Sequence, residues 1–80
     1  MFAVCLRHAD HVRQYSVSNP SAAGWEIKKE EDRTLSKHVW YRDWHRVERA
    51  MDLFRREVED LTAQGWQIQS NDGMLPNDGL

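Results

Sequence analysis

The chain has 80 residues, eleven Lys/Arg against thirteen Asp/Glu, a formal net charge of −2 and a single cysteine. That length argues for one domain, and one cysteine excludes an intrachain disulfide and fits a reducing compartment better than a secreted one. Residues 1–70 are neutral, with eleven cations balancing eleven anions, so the basic surplus of a dedicated nucleic-acid or membrane-surface protein is lacking.

The first apolar stretch, Phe2-Ala3-Val4-Cys5-Leu6, is followed at once by Arg7 and Asp10. It is shorter than the roughly 7–15 residues of a signal-peptide core and the about 20 of a membrane helix, so a cytoplasmic protein without membrane contact is expected. Residues 1–12 read as an extra strand, a short helix or a mobile arm. Arg13 to Val17 alternates, with Tyr15 and Val17 on one face, and reads as a strand that ends at the turn residues Asn19-Pro20-Ser21. Trp25 to Lys29 alternates more cleanly, Trp25 and Ile27 inward, Glu26 and Lys28 outward. After the charged turn Glu30 to Arg33, Thr34 to Tyr41 forms another strand. It places Leu35, Val39 and Tyr41 on one face and Ser36, His38 and Trp40 on the other. Short links between these runs favour an antiparallel meander.

The helix is the strongest signal. Trp44, Val47, Met51, Phe54, Val58 and Leu61 are spaced three, four, three, four and three residues apart, with Ala50 and Leu53 widening the stripe. Asp43 supplies an N-cap and Gly65 a left-handed closing residue. Trp66 to Gln69 alternates again as a short final strand. The expected fold is therefore α+β: an antiparallel sheet of three to four strands with one long helix on one face. The domain should span residues 1–69, followed by a disordered tail at 70–80.

Among candidate sites, Trp25, Trp44 and Trp66 fall on the apolar side of their elements and are expected in the core. Trp40 does not, so it belongs either under the N-terminal segment or against a partner. With His38 and Phe2 it forms the expected interface of a self-associating, non-catalytic binding or assembly module. Lys37, Arg42, Arg46 and Arg49 gather at the start of the helix, where free amides attract anions, which makes a nucleic-acid-binding module the alternative. Cys5, His8 and His11 carry zinc-ligand chemistry, but neither a strand nor a helix brings the three together, and no second ligand pair follows. Asp43 and His45 are two apart on a helix and do not face each other. No phosphate loop or nucleophile elbow is present, so no enzyme, cofactor or named small-molecule ligand is expected.

Trp25-Glu26-Ile27, a strand reaching Trp40-Tyr41-Arg42, and a helix with Ala50, Phe54 and a closing Gly65-Trp66 resemble the order of features in WGR-type domains. Those are small β-meander-plus-helix modules found beside nucleic-acid-related enzymes, and the resemblance spans about residues 24–67. Tyr41 stands where that family's signature has glycine, and no functional residue is transferred from it. The chain equally looks like short bacterial proteins with no assigned activity.

Overall fold

The computed structural model of the protein describes residues 2–22 and 24–72. In chain order these form β1 (Phe2–His8), β2 (His11–Ser21), β3 (Gly24–Glu31), β4 (Thr34–Tyr41), α1 (Trp44–Ala63) and β5 (Gln67–Asp72). The fold is α+β, as expected, but the antiparallel sheet has five strands rather than three to four, in the order β4-β3-β2-β1-β5. The N-terminal segment is neither arm nor helix. It is an inner strand, flanked by β2 and β5. β5 in turn runs to Asp72, so residues 70–72 belong to the sheet instead of the tail; residues 73–80 lie outside the described residues.

The first four strands form the meander their short links imply. Ala9 (φ +54°) lies in the β1–β2 turn, and Asp32 and Arg33 (φ +49° and +70°) form the β3–β4 turn. Two consecutive positive φ values are what a two-residue hairpin with a primed turn demands. α1 then leaves one edge strand, β4, and delivers the chain to the opposite edge, β5, so a single helix crosses the whole sheet. The Asp43 carboxylate accepts from the His45 amide at 3.0 Å. At the other end the Trp66 amide donates to the Leu61 carbonyl (2.9 Å) and the Gly65 amide to Thr62 (3.1 Å), the paired bonds of a Schellman closure. Gly65 makes this turn with φ +106°.

The core lies between helix and sheet. Phe2, Val4, Leu6, Tyr15, Val17 and Ile27 meet Val47, Ala50, Phe54, Val58 and Leu61. Phe54 is 1% exposed, with its ring 4.9 Å from Tyr15 and 6.1 Å from Phe2. Tryptophan contributes less to this core than expected. Trp25 and Trp66 only pack against its margin, and Trp44 is 44% exposed, its ring 4.8 Å from Trp25.

Leu35 departs from simple alternation. Lys29 pairs with Lys37 but Glu30 pairs with Leu35, so Ser36 is an extra residue in β4, and its hydroxyl donates to the Lys29 carbonyl at 3.1 Å. The bulge turns Leu35 to the side of Glu30, away from Val39 and Tyr41, and it is 47% exposed there.

Candidate functional site

One helix covers one side of the sheet, and the molecule measures 37 × 34 × 17 Å. A thickness of 17 Å leaves room for two layers only. Among the described residues nothing covers the other side, and the pairing register fixes what it presents, because residues opposite each other point to the same side. One row across the strands is Ala3, Ser16, Lys28 and His38. The next is Ser70, Cys5, Gln14, Glu30 and Leu35. Glu26 and Trp40 lie beyond the first row, Arg7 and Val12 beyond the second. The middle of this face is therefore small or uncharged, with a depression of about 260 Å³ at Ala3, Cys5, Ser16 and Ser70. Long side chains stand around it.

Trp40 is 47% exposed on this face, beside His38 at 6.5 Å between rings. His38 Nε2 lies 2.6 Å from Glu26 Oε2, which ties Glu26 to β4. Lys28 and Glu30 have no ion-pair partner among the described residues.

Phe2 does not join this surface. β1 turns it to the helix side, where it is 2% exposed under Phe54, so the expected patch of Phe2 with Trp40 is corrected to Trp40 with His38 and Leu35. The four cations at the start of the helix do not converge on one point. Lys37 is opposite Lys29 and therefore on the helix side of β4. Arg46 lies 6.0 Å from the Tyr41 ring centre on that same side. Arg42 follows the end of β4, its stem beside Gly24. Arg49 lies on the outer helix surface in a depression shared with Glu48 and Asp52. The helix N-terminus itself is already occupied by the Asp43 carboxylate.

The Cys5, His8 and His11 trio is scattered. Cys5 is on the bare face, His8 stacks on Trp66 at 5.4 Å, and His11 Nδ1 is 3.0 Å from Asp32 Oδ2. Among the described residues no group of three or more His, Cys, Asp or Glu could hold a metal ion. Asp43 caps the helix while His45, 86% exposed at its side chain, faces Glu48 at 3.7 Å.

Sequence reasoning missed a second polar cluster, on the covered side. Tyr15 donates to Glu57 Oε1 at 2.9 Å, and Lys29 Nζ reaches the same oxygen at 3.3 Å. Burial pushes the Tyr15 hydroxyl up to about 12, with Glu57 adding to the rise and Arg13 opposing it. A phenol held neutral beside a carboxylate is a hydrogen-bond donor that fixes the helix to β2, not an activated base. The only sequence signal is Glu57 at the margin of the apolar stripe.

Among the described residues no helix is long and apolar enough to cross a membrane. No protein-family model, curated protein or solved structure matches the chain.

Proposed function

We propose that the protein is a non-catalytic assembly module that self-associates through the helix-free face of its sheet. The observation that carries this is Trp40, 47% exposed on a face that no other element of the described chain covers. A chain of 80 residues has little stability margin of its own and gains from burying such a surface, and a two-fold homodimer is the commonest closed arrangement. Light scattering or sedimentation at tens of micromolar tests it. A mass of twice 9.5 kDa, reduced to the monomer by Trp40→Ser, is expected. A clean monomer even at about 100 µM overturns the proposal.

The second reading is nucleic-acid binding. Lys37 and Arg46 share the helix side of the β4 edge, which favours it; Asp43, Glu48 and Asp52 in the same stretch oppose it. Phosphate contacts would make binding fall steeply with salt. The expected result with a labelled duplex or single strand is no complex tighter than about 10 µM, well below specific affinities. A tight, salt-sensitive complex lost on Arg46→Glu would reverse the ranking.

A further inference from the structure

Lys28 and Glu30 stand next to each other on the bare face, two residues apart on β3 and so about 7 Å apart along the strand. Both are only partly exposed. Neither has a charged partner among the described residues, and Glu26, the other acid near Lys28, is already bonded to His38 at 2.6 Å. The face as a whole carries both signs: Arg7 and Lys28 against Glu26 and Glu30. A polyanion or polycation would meet repulsion wherever it met attraction. A surface with opposite charges adjacent on one strand is complementary to itself once it is turned end over end.

We infer that two copies of the chain stack their bare faces about a two-fold axis perpendicular to the strands, passing between Lys28 and Glu30, so that Lys28 of each copy meets Glu30 of the other. This rests on the self-association proposed above and specifies its geometry. The rotation lays the row Ala3, Ser16, Lys28 and His38 of one copy over the row Cys5, Gln14, Glu30 and Leu35 of the second. Small or uncharged side chains then face each other in the middle. Packed sheets lie about 10 Å apart, a gap that an extended lysine and glutamate bridge end to end. Trp40 of one copy comes within a row of Leu35 of the second, and the two most exposed apolar groups of β4 shield each other.

A two-fold axis parallel to the strands does worse. Centred on β2, it sets β3 over β1 of the second copy, so Lys28 and Glu30 face Ala3 and Cys5. Two charges then lose water with no partner in return. Five strands about 4.8 Å apart and some 20 Å long offer roughly 500 Å² from each copy, a total at the low end for specific interfaces, so a micromolar dimer is expected.

Charge reversal tests the geometry directly. Lys28→Glu alone sets the introduced carboxylate against Glu30 of the second copy, and Glu30→Lys alone sets the introduced ammonium against Lys28. Each should weaken dimerisation at least about tenfold, the scale of close interfacial charge pairs. An equimolar mixture of the two single variants should restore it as a heterodimer, as should the double swap Lys28→Glu/Glu30→Lys in one chain. Recovery in the mixture also shows that both variants are folded. If the wild type dimerises but either reversal leaves the mass unchanged, or the mixture associates no better than its components, the two-fold geometry is overturned while self-association stands. A wild type that stays monomeric at about 100 µM, far above the expected micromolar range, overturns both.

Discussion

The two sides of the sheet are built from the same strands and obey different rules. On the helix side, Phe2, Val4, Leu6, Tyr15, Val17 and Ile27 are each at most 2% exposed, and every one meets the helix stripe or its margin. On the other side the same strands present Ala3, Cys5, Gln14, Ser16, Glu26, Lys28 and Glu30, a mixture of small and charged groups around two exposed apolar side chains, Trp40 and Leu35. Burial explains the apolar positions of the first side. The second is not needed to close the core, and the self-association proposed above rests on its composition.

The largest effect should come from the covered side. Phe54 touches rings from β1 and β2 and is 1% exposed, so Phe54→Ala removes an aromatic that joins the helix to two inner strands. A loss of about 3–5 kcal/mol is expected, enough to unfold a domain of this size. Denaturant melts of the variant decide it. A cooperative melt with an unchanged midpoint would mean the helix side is not the core. Gly24→Ala comes next. Gly24 has φ +133°, and a Cβ there would lie 2.7 Å from the Tyr41 carbonyl oxygen on β4. Backbone cannot yield as a side chain can, so a cost of about 1–3 kcal/mol is expected in the same melt.

Tyr15→Phe probes the polar cluster beneath the helix. It removes the bond to Glu57 while Lys29 still holds that carboxylate, so about 1–2 kcal/mol should be lost. The pH dependence has a definite sign. The folded state holds the Tyr15 proton more tightly than the unfolded chain, with the hydroxyl raised from 10.0 to about 12. Stability from this group is therefore full below pH 10 and lost as pH rises toward 12. Alkaline melts of wild type and Tyr15→Phe should converge across that interval; parallel curves would show that Tyr15 ionises freely.

Much of the covered side is legible in the sequence, and little of the bare one. The helix bounds can be read because Asp43, the three-four stripe and Gly65 are local signals. β1 is ambiguous because Ala3 and Cys5, the outward positions, are nearly as apolar as Phe2, Val4 and Leu6, so a period of two is blurred. Ser70, Asn71 and Asp72 are turn formers by propensity, and pairing with Cys5, Val4 and Ala3 overrides that preference. Alternation puts Leu35 on the wrong side because a one-residue bulge at Ser36 leaves no mark in the pattern. It does set Trp40 apart from Val39 and Tyr41 correctly. The adjacency of Lys28 to Glu30 is visible in the sequence, but only the register shows that they share a face on which no other described residue pairs with them.

The smallest expected effect lies on neither side but at the end of the sheet. Asp32 gathers the start of β2 there: its carboxylate accepts from the Val12 amide at 2.8 Å and meets His11 Nδ1 at 3.0 Å, while its own amide donates to the Val12 carbonyl at 2.8 Å. The bond and charge of Asp32 raise the His11 pKa above its usual 6.5, with Asp10 and Glu31 adding to the rise. The same imidazole, helped by the Val12 amide, lowers Asp32 below 3.8. The histidine contribution is full below pH 6.5 and disappears as pH climbs through the raised value; the aspartate contribution is full above pH 3.8 and disappears as pH falls through the lowered one. Their joint benefit therefore occupies the window between 3.8 and 6.5. Both groups are exposed, with 65% and 48% of their side chains accessible, so the benefit is small and sensitive to salt. His11→Gln should melt slightly below the wild type at about pH 5 and match it at about pH 9, and the difference in acid should shrink in about 1 M salt, where the Debye length is about 3 Å. A gap that persists in alkali would locate the stabilisation in the shape of the turn and not in its charge. The end of the sheet would then be held by packing, as the apolar core on the covered side is.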